Sequence, residues 1–161
     1  MLSNSTILIT GGRGFLGTYF LKTFVEINNR LVNPMKIYVI DNLITSKDNL
    51  TKYPNVEFIE SDISEKIEID GPINYIIHSA SIASPLIYRK FPLKTIDVNY
   101  QGTRNLLDLA KEKNVDGMLF LSSSEIYGDP KIIPTPETYW GHVSCNGPRA
   151  CSDESKRLAE T

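Results

Sequence analysis

The sequence predicts an α/β fold, a doubly wound parallel sheet between helices in three layers. Three observations carry that prediction. Thr6-Ile7-Leu8-Ile9-Thr10 is a short apolar run fit for a buried strand, and it passes directly into a glycine-rich turn and a helix. Four more short strand-like runs follow, separated by helical or polar segments, and strands that alternate with helices imply a parallel sheet. Glycine or polar clusters close four of the five runs, which places them together at the carboxyl edge of the sheet, where ligands bind.

The first run and its turn organise the chain. Gly11-Gly12-Arg13-Gly14-Phe15-Leu16-Gly17 has the spacing Gly-x-x-Gly-x-x-Gly, with Gly12 as an extra. Gly11 permits the tight turn, Gly14 lets the backbone approach a pyrophosphate, and Gly17 lets the next helix pack closely on the strand. Leu16, Phe20 and Phe24 recur at four-residue spacing and lay an apolar stripe along that helix. Its N-terminus offers N–H groups and a positive dipole end to phosphates. A bare glycine triplet fits a turn that binds nothing at least as well. The second strand, Lys36-Ile37-Tyr38-Val39-Ile40, shifts the balance toward a Rossmann-type dinucleotide site because it ends in Asp41. A carboxylate there accepts from the adenosine ribose hydroxyls and repels a 2′-phosphate, which favours NAD over NADP. Asp41-Asn42 is also a common turn pair; the glycine turn upstream favours the ribose role.

The bulk numbers set bounds. A chain of 161 residues allows one domain of ordinary size, residues 1–161, with a real core. Its 41% hydrophobic and 22% charged residues are those of a soluble globular protein. A net charge of −2 gives no reason to expect nucleic acid or an anionic membrane as partner. No apolar run approaches membrane-spanning length, and the first strand begins too early to leave room for a signal peptide. Cys145 and Cys151 make no disulfide framework, and with two histidines there is no zinc pattern, so no metal is expected. Two free thiols suit a reducing, cytoplasmic setting.

Residues 42–53 read as loop and short helix. Val56-Glu57-Phe58-Ile59-Glu60 alternates as a third strand, followed by Ser61-Asp62-Ile63. Asp62 either accepts from an adenine amino group or caps a helix over residues 64–69. Asn74-Tyr75-Ile76-Ile77-His78 is a fourth strand. The small residues after it, Ser79-Ala80-Ser81, allow backbone to lie against a cofactor's ribose and phosphate. His78 reads as a packed strand-end residue. A helix spans residues 94–113, with Val98, Gly102, Leu106 and Ala110 as a narrow apolar face and Asn99 as a solvated or functional polar residue. Gly117-Met118-Leu119-Phe120-Leu121 is a fifth strand, closed by Ser122-Ser123-Ser124-Glu125. Residues 126–150 are loop-like, with four prolines and three glycines, and a loop of that length tends to be functional. Residues 151–161 begin a helix with no stop signal, as in a chain cut short.

These motifs together resemble the extended short-chain dehydrogenase/reductase family, the NAD-dependent nucleotide-sugar epimerases, dehydratases and decarboxylases. The likeness rests on Thr10-Gly11-Gly12-Arg13-Gly14-Phe15-Leu16-Gly17, on Asp41, on Asn99-Tyr100-Gln101-Gly102-Thr103 and on Ser122-Ser123-Ser124-Glu125-Ile126-Tyr127-Gly128. Within the family, His78-Ser79-Ala80-Ser81-Ile82-Ala83-Ser84-Pro85, Ser124-Glu125-Ile126-Tyr127-Gly128-Asp129-Pro130, Tyr139-Trp140-Gly141 and Gly147-Pro148-Arg149-Ala150-Cys151 are most similar to the UDP-glucuronate decarboxylase group. The resemblance covers the N-terminal part of the family's fold, which continues into a sugar-nucleotide-binding portion.

It implies NAD as cofactor, a nucleotide sugar as substrate, a hydride taken from the sugar C4 and later returned, and pairing into homodimers. Cofactor contacts are implied for Gly11, Gly14, Phe15, Leu16, Gly17, Asp41, Asn42, Asp62, Ile63, Ser79, Ala80, Ser81, Asn99 and Lys156. Ser123 matches the hydroxyl beside the sugar hydroxyl, and Glu125 the carboxylate that assists loss of CO₂ from a β-keto acid. An epimerase or 4,6-dehydratase is the alternative. Lys156 matches the lysine of a Tyr-x-x-x-Lys pair, but the tyrosine position holds Ser152. An alkyl hydroxyl is far less acidic than a phenol of pKa about 10, so a catalytically disabled NAD-binding module is a further reading.

Overall fold

A computed structural model describes residues 2–45 and 52–161. Five strands form one sheet: β1 (Thr6–Thr10), β2 (Lys36–Asp41), β3 (Val56–Glu60), β4 (Tyr75–His78) and β5 (Gly117–Phe120). The spatial order is β3-β2-β1-β4-β5, and every pairing is parallel. Strand order therefore reverses between β1 and β4, which makes the crevice between their carboxyl ends the switch point at which open α/β sheets take ligands. The helices are α1 (Phe15–Asn28), α2 (Pro85–Lys90), α3 (Pro92–Lys113) and α4 (Ala150–Glu160).

Alternation along the central strands builds two cores. Leu8, Tyr38, Ile40 and Ile76 face α2 and α3, where Tyr88, Val98, Leu106 and Leu109 bury against them. Ile7, Ile9, Ile37, Val39 and Ile77 face the other way, toward α1 and its Leu21, with Phe20 and Phe24 packed at the margin. The three-layer arrangement follows from period-two side chains on strands buried on both faces.

Several expectations change. The α1 helix starts at Phe15, inside the glycine motif, so Leu16 and Gly17 are helical. Its buried positions are Gly17 and Leu21, one step round from the expected stripe, and Leu16 is 51% exposed. Residues 64–69 form no helix; Asp62 instead caps an open turn. Residues 42–45 are irregular, and the rest of the expected short helix falls mostly on residues 46–51, outside the described ones. The α2 helix, opened by Pro85, was not expected. The α3 face is wider than the apolar stripe and includes buried Thr95, Asn99 and Thr103. A single 3-10 turn, Ser124–Tyr127, opens the long loop. That loop is pinned by Arg157, whose Nη1 donates to the Ile126 and Trp140 carbonyls at 2.6 and 2.9 Å.

Candidate functional site

The glycine turn is held by contacts that only glycine permits. At Gly11, with φ +66°, a Cβ would stand 2.6 Å from Ala80 Cα, so the ends of β1 and β4 touch backbone to backbone. A Cβ on Gly17 would lie 2.1 Å from the Gly11 carbonyl oxygen; its close packing is against the turn itself rather than the strand. Gly12, the extra glycine, lies against Val39, with a Cβ there only 2.3 Å from that side chain. Gly14 is the N-cap of α1 and provides no side-chain cap. First-turn N–H groups have no intrahelical partner, so α1 begins as an anion-ready end at the cavity wall.

One cavity opens at the switch point. It is lined by Gly11, Gly14, Asp41, Asn42, Ile63, Ser79, Ala80 and Ser81, all from the expected cofactor set, and by Ile40, Ile44, Thr45, Ile82 and Val98, which were not expected. Gly17, Phe15, Asp62, Asn99 and Lys156 do not line it. Phe15 is 78% exposed. Asp41 serves the turn pair: its Oδ1 accepts from Leu43 N–H and its Oδ2 from Arg13 N–H, each at 2.9 Å, which ties β2 to the glycine turn. Asn42 and Asp62 join the ends of β2 and β3, with Asn42 Nδ2 donating to Asp62 Oδ2 at 3.1 Å. Burial opposes the charge on Asp62, but the Ser64 hydroxyl and N–H, Asn42 and Lys94 outweigh it and hold the carboxyl below its usual range.

A second cavity adjoins the first and shares Ser79 and Ser81 with it. Its lining brings together Ser123, Glu125, Ser152 and Lys156, the four residues expected to carry chemistry, beside Leu16, Ala83, Pro85, Tyr88 and Leu121. Ser123 Oγ accepts from Glu125 N–H at 3.2 Å and starts the 3-10 turn. Lys156 is 5% exposed; its Nζ donates to the Leu121 carbonyl at 2.8 Å and sits 4.6 Å from the centre of the Phe120 ring. Burial pulls its ammonium down to about 8, with Glu160 opposing, so it stays cationic at neutral pH.

Glu125 is not a lone solvent carboxylate. Arg149 Nη1 stands 2.9 Å from its Oε2, too far out of line for a hydrogen bond, and the same guanidinium reaches Asp129 at 3.6 Å and Asp153 at 3.5 Å. Burial pushes the Asp153 carboxyl up, against the pull of Arg149. Sequence reasoning named Arg149 only as part of a motif; pairing across 24 positions leaves no local periodicity to read. Asn99 is fully buried, which removes the solvated reading. Its Oδ1 accepts from Ser81 at 2.7 Å and its Nδ2 donates to Ser155 at 2.9 Å, joining α3 to α4 behind the cavity wall.

His78, packed as expected, is 1% exposed. Burial, with the charge of Lys156 adding to it, lowers its imidazole to about 3 from the ordinary 6.5. Between those values the unfolded chain binds one proton more than the native one, so stability rises with pH. It is expected to be complete above pH 6.5 and to fall toward pH 3, by up to about 1.4 kcal/mol per pH unit from this residue. Urea midpoints taken from pH 7 to pH 4 check this. The slope should flatten by that amount in His78→Gln, and an unchanged slope rules it out.

The NAD dependent epimerase/dehydratase family matches residues 7–161. The chain belongs to that family. It is 44% identical over 163 residues to UDP-glucuronic acid decarboxylase 5 of Arabidopsis thaliana, covering 99% of this chain and 46% of that protein. It is 41% identical to UDP-glucuronic acid decarboxylase 1 of Xenopus tropicalis, covering 96% of this chain and 36% of that one. Among solved structures, UDP-glucose 4-epimerase of Thermotoga maritima with UDP-glucose superposes with a TM-score of 0.73 at 29% identity, over 94% of this chain and 48% of that one. The chain thus spans less than half the length of these relatives. Among the described residues no helix is long and apolar enough to cross a membrane, and no cluster of His, Cys, Asp or Glu could hold a metal ion.

Proposed function

We propose that this family member is the NAD-binding part of a nucleotide-sugar decarboxylase that works on UDP-glucuronate through a 4-keto sugar. The observation that carries the reading is the shared wall. Ser79 and Ser81 line both cavities, so the glycine turn and the Ser123, Glu125, Ser152 and Lys156 group face one continuous groove. Likeness to two UDP-glucuronic acid decarboxylases supports the substrate class.

In this reading Gly11, Gly14 and the first turn of α1 hold the pyrophosphate, Asp41 the adenosine ribose, and Ser79, Ala80 and Ser81 the middle of the dinucleotide. NAD held there would supply a reversible hydride acceptor. Cationic Lys156 binds the nicotinamide ribose. Ser123 orients the reacting sugar hydroxyl. A ketone at C4 would make the C5 carboxylate part of a β-keto acid, which loses CO₂ readily, and Glu125 would supply the proton that replaces CO₂ at C5. Arg149 keeps Glu125 turned toward the first turn of α4.

Glu125→Gln separates decarboxylase from epimerase or dehydratase. Measured in the Ser152→Tyr background, it should cut UDP-pentose formation by about 100-fold or more while NAD affinity stays within about threefold. Unchanged pentose formation would falsify the assignment. The cofactor half is tested at Asp41. Wild type should bind NAD at least about tenfold more tightly than NADP, the effect of one repulsive charge on a 2′-phosphate. Asp41→Ala should narrow that ratio, and equal affinities in the wild type remove the ribose role. Ser152 supports a second reading, a module that binds NAD and does not turn over. The groove is then retained for the cofactor alone.

A further inference from the structure

His78 is a buried, titratable side chain that the proposed chemistry leaves unused, and its hydrogen bonds have determinable directions. The Thr103 hydroxyl has one hydrogen, which it donates to the Asn99 carbonyl at 2.6 Å. Its contact with His78 Nε2 at 3.0 Å must therefore be an N–H donated by the imidazole. That leaves Nδ1 bare in the neutral ring, accepting from the Thr10 hydroxyl at 2.9 Å. Thr10 Oγ1 then accepts from the Ala80 N–H at 3.3 Å. A proton on Nδ1 would instead turn Thr10 Oγ1 into an acceptor only. It would also place a second positive charge near Lys156, the charged group whose field reaches this ring. Thr10, His78 and Asn99 are each no more than 1% exposed, so water does not substitute for any of these bonds.

We propose that His78, locked as the neutral Nε2–H tautomer between Thr10 and Thr103, is a positioning residue for the cofactor cavity. Through Thr10 it sets the hydroxyl that holds Ala80, the residue whose backbone touches Gly11 and lines the switch point. Ser79 adds to the same clamp, its hydroxyl donating to the Thr10 carbonyl at 2.6 Å. Through Thr103 the ring supports the α3 turn at Asn99, whose side chain holds Ser81 and Ser155. One imidazole thereby couples the glycine turn to the helix that carries Ser152 and Lys156. The consequence for affinity rests on the reading that this cavity takes NAD.

Two amide variants divide the ring's roles. In His78→Asn the side-chain oxygen falls near the Nδ1 position and keeps an acceptor for Thr10. In His78→Gln the side-chain nitrogen falls near Nε2 and keeps the donor to Thr103 but loses that acceptor. The first measurement is on the wild-type chain: nitrogen-15 NMR of His78 should show the neutral Nε2–H form at pH 6 and still at pH 4.5. A ring protonated on Nδ1 at pH 6 overturns the proposal, whether or not any variant folds. Amide exchange at Ala80 and NAD titration follow. His78→Gln should speed Ala80 exchange and weaken NAD by about tenfold, the worth of one net buried hydrogen bond, and His78→Asn should do so by no more than about threefold. Equal loss in both variants makes His78 a packing residue and overturns the proposal. If the wild type shows no NAD binding while the tautomer and the Ala80 contrast hold, the cofactor reading falls and the positioning role stands.

Discussion

Replacing Ser152 by tyrosine is expected to raise sugar-nucleotide turnover by at least about 100-fold, the lower end of what one positioned acid–base group supplies. The assay belongs in the longest reading frame that carries these 161 residues. Ser152 sits in the first turn of α4, with its N–H donating to the Arg149 carbonyl at 2.9 Å, so the backbone that presents its side chain is fixed. It lines the same cavity as Lys156 one helical turn later, and residues four apart share a helix face. Lys156 has the properties that a phenol placed at position 152 would need. Burial brings its pKa to about 8, its charge survives at neutral pH, and its Nζ is held by Leu121. A nearby cation lowers a phenol from about 10 toward neutrality, whereas it leaves an alkyl hydroxyl far too weak an acid. Mass-resolved detection of UDP-pentose separates the outcomes. Turnover only in Ser152→Tyr marks Ser152 as the disabling residue. Equal turnover in both forms shows that another group moves the proton and defeats this account. NAD binding without turnover in either form favours the cofactor-only module.

Gly17→Ala is expected to destabilise the chain by about 2 kcal/mol or more and to weaken NAD by at least about tenfold. Alanine is the better helix former by about 1 kcal/mol, so propensity alone predicts the opposite sign. The contact decides. The new Cβ would lie 2.1 Å from the Gly11 carbonyl oxygen and 2.7 Å from Gly12 Cα, and both are backbone atoms that cannot rotate away. Relief requires moving α1 off the glycine turn, and that turn forms the proposed phosphate cradle. Gly71→Ala is the control. It has φ +87° but nothing within 4 Å, so it should cost only the left-handed backbone penalty of about 1–2 kcal/mol and leave NAD affinity alone. Chemical denaturation and NAD titration of the two variants read the contrast directly. Similar effects at both positions would mean that backbone conformation, and not the close approach, governs this turn.

Much of this was readable from local chemistry. Strands β1 and β2 stand where the apolar runs put them, because a strand buried on both faces of a parallel sheet shows its pattern within five residues, and β3, a partly exposed edge strand, stands where its alternation put it. Misreadings arose where a neighbour in space changed the local answer. Leu16 has the right spacing for a core stripe, yet it points into the groove, since Gly17 is the residue pressed against the turn. Asp62 has the composition of a helix N-cap, but its oxygens are taken by Ser64, Asn42 and Lys94 in an open turn.

By itself the sequence determined the fold class, the count of strands and the gathering of glycine and polar clusters at one sheet edge. Those properties depend on side-chain period, on where a Cβ is absent and on the rule that parallel strands need helical crossovers. Only the tertiary structure decided which of those residues share a wall. Ser79 and Ser81 join two cavities, Arg149 reaches Glu125, and His78 meets Thr10 across 68 positions of chain. No local pattern encodes such meetings. The Thr10–His78 meeting exists because the sheet order places β4 beside β1, where burial obliges the two side chains to pair across the sheet, and Arg149 reaches Glu125 because the start of α4 packs against the 3-10 turn.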